Sequence, residues 1–154
     1  MQFIEPWEGR RNRVYVDSKG NRTIGVGFNL ERPDARAKIE ALGLNFDDVL
    51  SGRQTLTDAQ INTLFRADVE NCTRDAKRLV GNFDSLPKQA QTIVVDMIFN
   101  MGSGNFANFK KTINALEQSD FARAADEMQN SQWYREGGQR PQHHVPAMRA
   151  LAHQ

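Results

Sequence analysis

Two carboxylates and a hydroxyl near the start of the chain have the types and spacing for acid–base hydrolysis. Glu8 sits between Trp7 and Gly9, Asp17 heads a D-S-K-G turn, and Thr23 opens the run that returns from that turn. Splitting a glycosidic bond takes a carboxylic acid that protonates the leaving oxygen. It also takes a second carboxylate that stabilises the cationic sugar and activates water or attacks. The two need unlike surroundings, one half-buried and protonated, the other polar and ionised. Glu8, beside Trp7 at a helix end, suits the first task, and Asp17, near Ser18 and backbone donors, suits the second. Thr23 is placed to hold a water beside Asp17. Each residue also has a plainer reading. A Glu before a helix-ending Gly is usually solvated, and an Asp in such a turn usually makes an Asx turn. Residue chemistry alone leaves both readings open.

The elements that must position these groups are short. Phe3, Ile4 and Trp7 fit one or two helical turns that stop at Gly9. In RVYVDSKGNRTIGVGF, Val14 and Val16 flank Tyr15, turn residues fill 17–20, and alternation resumes from Thr23 to Gly27, which signals a hairpin. The Gly25-Val26-Gly27 element lacks the third glycine of a dinucleotide site and is expected to serve strand packing. Everything afterwards reads helical. One segment starts at Pro33 and Asp34 and ends at Gly43, and NFDDVLSG makes another. Thr57-Asp58-Ala59-Gln60 is a capping box, and the helix it opens is expected to run to about Gly81, long enough to bridge two lobes. IVVDMIFNMG predicts a central buried helix whose polar interruptions, Asp96 and Asn100, share a face. NFANFKKTINALEQ and DFARAADEMQ follow as two amphipathic helices, and a last helix follows the GGQRP loop.

Composition narrows the class. A chain of 154 residues, 39% hydrophobic and 25% charged, builds one domain with a real core and excludes disorder. No run is long enough for a membrane span, and MQFIEPWEGRRNR lacks the apolar stretch of a secretory signal. The lone Cys72 excludes an internal disulfide framework and is expected to be a packed thiol. A net charge of +1 argues against a phosphate-neutralising nucleic-acid binder. Residues 1–30 and 131–154 each carry +2 against −3 between them, a mildly basic surface if the ends meet. His143, His144 and His153 lack the companions of a metal site, and a surface helix is expected there. Trp133 and Tyr134 suit a core or lobe-closing role, and Met97, Met101 and Met128 suit core filling.

The segment E-G-R-R-N-R-V-Y-V-D-S-K-G-N-R-T-I-G-V-G resembles the catalytic segment of the T-even phage lysozyme family, glycoside hydrolase family 24. The spacing Glu-x8-Asp-x5-Thr is kept as Glu8, Asp17 and Thr23. The likeness continues from Thr57 to Val69, through DMIFNMG at 96–102, Phe109 and SQWY at 131–134. The resemblance implies an α+β, lysozyme-like fold. Its small β-hairpin lobe would be residues 10–57, and its larger helical lobe residues 1–9 plus 58–154. The helix at 57–80 would join them, the whole making one lysozyme domain. It implies a peptidoglycan hydrolase cleaving the β-1,4 bond between N-acetylmuramic acid and N-acetylglucosamine. Glu8 would be the general acid. Asp17 and Thr23 would position a water for inverting attack, which calls for carboxyls roughly 6.5–9.5 Å apart. Arg140, seven residues after Trp133, is expected to pair with Glu8. Phe99, Asn100, Asn29, Leu30 and Gly137 are expected to bind substrate or support the site.

No metal and no cofactor is expected, the partner is peptidoglycan, and the chain is expected to be a monomer that enters no membrane and binds no nucleic acid. Synthesis in a bacterial cytoplasm, from a phage or prophage, and action on the periplasmic wall are expected. The alternatives are a catalytically silent glycan-binding module, which would not need Glu8, Asp17, Thr23 and Arg140 together, and a delivered lysozyme-like toxin. The chain also departs from the family pattern. Phe28 stands where the family has a histidine, so the aspartate matched by Asp68 must find another partner or be exposed. Lys19 replaces an acidic turn residue, Gly137 replaces a cleft threonine, and the near-neutral charge differs from a strongly basic type.

Overall fold

In the computed structural model, which describes residues 3–154, Pro6 in the first turn and Gly9 after the last bound a four-residue helix, α1 (Glu5–Glu8). Next comes the hairpin of β1 (Arg11–Val16) and β2 (Arg22–Gly25), with Tyr15 opposite Thr23 and Val16 opposite Arg22. The following glycines do more than pack a strand. Gly25 and Gly27 both have φ of 66°, left-handed backbone that reverses the chain at little steric cost. The reversal creates a third strand that the alternation pattern does not announce. This strand, β3 (Phe28–Asn29), pairs antiparallel with β2, Thr23 opposite Asn29 and Ile24 opposite Phe28. The sheet order is β1-β2-β3.

Three helices follow, α2 (Ala35–Ala41), α3 (Phe46–Leu50) and α4 (Asp58–Leu79). The expected capping box forms. Gln60 N–H donates to Thr57 Oγ1 at 3.2 Å, and Thr57 N–H donates to Gln60 Oε1 at 2.9 Å. With 22 residues, α4 is about 33 Å long. The chain divides into two compact units, Met1–Val69 and Glu70–Gln154, and the division falls inside α4.

In the first unit Ile4, Ile24, Phe28, Ile39, Val49 and Ile61 are at most 1% exposed and make the core. Asp68 does find a partner. Arg32 donates from Nη2 to Asp68 Oδ1 at 2.9 Å and from Nη1 to Oδ2 at 3.0 Å. The same guanidinium lies 4.2 Å from the centre of the Phe28 ring and pairs with Asp34. The Arg32 hydrogen bond holds the Asp34 carboxyl below its ordinary range, outweighing partial burial. Where the family pattern has a histidine, this chain has an aromatic ring capped by an arginine.

The second unit is helical: α5 (Lys88–Met101), α6 (Ser103–Ala107), α7 (Lys110–Glu117), α8 (Phe121–Gln129), α9 (Gln132–Glu136) and α10 (Gln139–Ala150). The single amphipathic helix expected over NFANFKKTINALEQ is two, broken at Asn108 and Phe109, where Phe109 has ψ of 53°. The break lets the Phe106 and Phe109 rings stack at 6.2 Å while Phe109 meets Trp133 edge-on at 6.4 Å. Met97 and Met128 are core residues as expected, while Met101 and Cys72 are half-buried. The histidines divide. His143 and His153 are exposed, but His144 is buried and bonds Asp96, so the expected surface helix has an inward face. Among the described residues no helix is long and apolar enough to cross a membrane.

Candidate active site

Glu8 is the last residue of α1, and its carboxyl lies against the backbone of Gly27 in the reversal between β2 and β3. A Cβ built on Gly27 would stand 2.6 Å from Glu8 Oε1 and 3.1 Å from its Cδ. Only a residue without a side chain lets the acid sit there. At φ of 66° any other residue is also strained. Gly27→Ala is therefore expected to displace the Glu8 carboxyl and lower turnover by about tenfold to a hundredfold, since a 1 Å misplacement can cost that much. Steady-state hydrolysis of purified cell walls, corrected for folded fraction, checks it.

Asp17 makes the Asx turn that the D-S-K-G segment suggests. Its Oδ1 accepts from Lys19 N–H at 2.9 Å and from Asn21 N–H at 2.8 Å. Both bonds use the same oxygen. Thr23 is 2% exposed and donates its hydroxyl proton to the Asn21 carbonyl at 2.9 Å. That carbonyl also accepts from Asp17 N–H at 2.9 Å. The Asn21 peptide thus ties the carboxylate and the hydroxyl into one hydrogen-bonded group at the end of the hairpin. Tyr15, opposite Thr23 in the ladder, stands beside both carboxylates. Burial first, then the charges of Glu8 and Asp17, push its phenol up against the opposing pull of Arg11, so it stays neutral.

Asn29 is half-buried on β3, with Oδ1 accepting from Glu31 N–H at 2.8 Å, and Leu30 is a core residue at 2% exposure. In the second unit Phe99 and Asn100 lie in the last turn of α5, and Trp133 Nε1 donates to Asn100 Oδ1 at 2.8 Å. Gly137 caps α9. A Cβ there would come within 2.6 Å of the Trp133 carbonyl, which gives a local reason for the missing threonine. Arg140 is 8% exposed at the start of α10, with Nε and Nη2 on the two oxygens of Asp96 at 2.8 and 2.6 Å. The structure therefore gathers Glu8, Asp17, Thr23 and Asn29 on α1 and the adjoining sheet of the first unit. Phe99, Asn100, Gly137 and Arg140 are placed in the second.

The sequence model of the phage lysozyme family matches residues 5–148. The chain belongs to the phage lysozyme family. Three relatives agree with this. "Probable T4-type lysozyme 1" of Dictyostelium discoideum is 29% identical over 137 residues, covering 82% of this chain and 79% of the relative. "Probable T4-type lysozyme 2" of the same organism is 27% identical over 134 residues, with the same coverage. The "Pre-baseplate central spike protein Gp5" of Enterobacteria phage T4 is 28% identical over 136 residues, 84% of this chain but 24% of that protein. A member of this lysozyme family is a glycoside hydrolase, its fold is α+β and lysozyme-like, and its substrate class is peptidoglycan.

The sequence singles out Glu8, Asp17 and Thr23 but not three residues that border them, Gly27, Tyr15 and Asn21. The G-x-G run at 25–27 fits strand packing, but after an alternating strand it also signals a reversal. Tyr15 carries in the alternation only the signal of a strand residue. Asn21 acts through its peptide group, so its side-chain type carries no signal.

Proposed function

We propose that the chain is an inverting muramidase that cleaves the β-1,4 bond between N-acetylmuramic acid and N-acetylglucosamine, with Glu8 protonating the leaving oxygen and Asp17 and Thr23 holding the attacking water. The observation that carries the reading is the group tied together by Asn21. Thr23 spends its proton on the Asn21 carbonyl, so its oxygen meets a water as an acceptor. Asp17 spends Oδ1 on two amides, so Oδ2 is the oxygen left for the same water. A water that donates both hydrogens, one to each acceptor, turns a lone pair outward as a nucleophile. Inversion then calls for a gap of roughly 6.5–9.5 Å between the two carboxyls, room for that water. Asn29, Leu30, Phe99, Asn100, Gly137 and Arg140 each keep a supporting part in this reading.

The proposed setting is lysis of a bacterium. The enzyme would be made in the cytoplasm from a phage or prophage gene and act on the periplasmic wall. A second reading, the same chemistry carried by an injection apparatus, draws support from the likeness to the phage spike protein. Digestion of purified peptidoglycan tests the bond. After borohydride reduction the new ends are expected to be muramitol, and α-anomers are expected in the first product by NMR. Glucosaminitol ends would replace the muramidase reading with a glucosaminidase, 1,6-anhydro ends would remove hydrolysis, and β-anomers would remove inversion.

A further inference from the structure

Outside the Glu8, Asp17 and Thr23 group, four side chains converge where α1 meets the start of α4. Arg10 lies two residues past Glu8. Its Nη2 donates to Glu5 Oε1 at 3.1 Å, and its Nε to Glu5 Oε2 at 3.3 Å. The same Nη2 donates to Asn62 Oδ1 at 2.6 Å, and Nη1 to Asp58 Oδ1 at 3.3 Å. Glu5 opens α1, while Asp58 and Asn62 stand one turn apart at the start of α4. One side chain therefore closes α1 into a loop and ties that loop to the longest helix.

The helix needs such a tie. It has four residues, none of them buried, where isolated helices shorter than about 12–15 residues do not persist in water. Ile4, fully buried just before it, anchors its start. Glu8 sits at the other end, where a small rotation of the helix would carry its carboxyl off Gly27. We infer that Arg10 is a positioning residue for Glu8, its guanidinium fork on Glu5, Asp58 and Asn62 setting the rotation of α1 against α4. The inference rests on the reading of Glu8 as the general acid.

Charge fits the same role. A bare cation two residues from a proton donor would favour the ionised form of any carboxyl beside it. Here Glu5 and Asp58 flank the guanidinium, two negative charges against one positive, so the tie presents no net cation. A lysine could not replace it. One ammonium lacks the fork that grips Glu5 with two nitrogens while reaching Asn62 and Asp58.

Two measurements on the full chain test the inference. In Arg10→Ala and in Arg10→Lys, kcat on purified peptidoglycan is expected to fall about tenfold per folded molecule with KM within about twofold, the pattern of a misaimed catalytic group. Amide exchange at Glu8 and Gly9, whose N–H groups bond the Ile4 and Glu5 carbonyls, is expected to accelerate in the same variants. Unchanged exchange, a loss confined to KM, a kcat loss explained by unfolded protein, or full rescue by lysine overturns it. Normal turnover in Arg10→Ala beside an inactive Glu8→Gln sinks this inference alone. An active Glu8→Gln sinks the acid assignment and this inference with it.

Discussion

Glu8→Gln is expected to stop clearing of outer-membrane-permeabilised Gram-negative cells and to cut kcat on purified peptidoglycan by about a thousandfold, within the span of a lost general acid. The substitution is chosen for what it leaves alone. Glutamine has the shape of glutamic acid, so it still fits against Gly27, where the nearest oxygen has 2.6 Å to a Cβ that is not there. It keeps α1, its Gly9 cap and the Arg10 tie, so the variant should fold like the wild type. It loses the transferable proton. KM is expected to hold within about twofold, because the removed interaction develops in the transition state. Clearing at the wild-type rate by a folded Glu8→Gln protein would place the acid elsewhere. Asp17→Asn tests the other half of the proposal. It keeps an oxygen for the Lys19 and Asn21 amides but weakens the hold on the water.

The site's spacing was legible because a hairpin turns spacing into geometry. Tyr15 opposite Thr23 and Val16 opposite Arg22 leave Asp17 at the end of the ladder, with the Asn21 peptide bridging to Thr23. The capping box at Thr57 was legible for the same reason, since both partners lie within one turn. Contacts between distant residues left no such trace. Arg10 meets Asp58 and Asn62 across 48 and 52 positions, and nothing in E-G-R-R-N-R separates Arg10 from its solvated neighbours. Asp68 shows both sides. Phe28 in place of a histidine signals a missing partner, yet nothing in the sequence marks Arg32, 36 positions away, as the residue that takes Asp68. The break between α6 and α7 has no Pro or Gly to mark it, and the apolar positions on either side keep helical spacing. What sits at the break is aromatic: Phe109 stacks on Phe106 and meets Trp133 edge-on, a contact across 24 positions.

The largest stability effect is expected at a polar position inside the most apolar helix. Asp96 is fully buried on α5, with both oxygens held by Arg140 and with His144 Nε2 at 2.5 Å from Oδ2. Arg140 and His144 come from α10, and the His144 ring stacks on Trp133 of α9 at 6.3 Å, so one carboxylate ties three helices. Asp96→Ala leaves a buried guanidinium without the carboxylate it faces. It should cost about 3–5 kcal/mol, as breaking a buried ion pair does. The melting temperature should then fall by on the order of 10 °C. The effect has a signed pH dependence. Burial alone would push the Asp96 carboxyl up. The hydrogen bonds with Arg140 and His144, and the positive charge of Arg140, outweigh it and hold the carboxyl below its ordinary value. The unfolded chain therefore takes up this proton first as pH falls. The stabilisation from Asp96 is complete above its unfolded value near about pH 4, and it drains away as pH drops toward the lower folded value. Urea titrations of wild type and Asp96→Ala at stepped pH should show a gap that is constant from neutral pH to about 5 and closes below about 4. A gap that stays constant through that range would mean that packing, not the ion pair, sets the cost of the substitution.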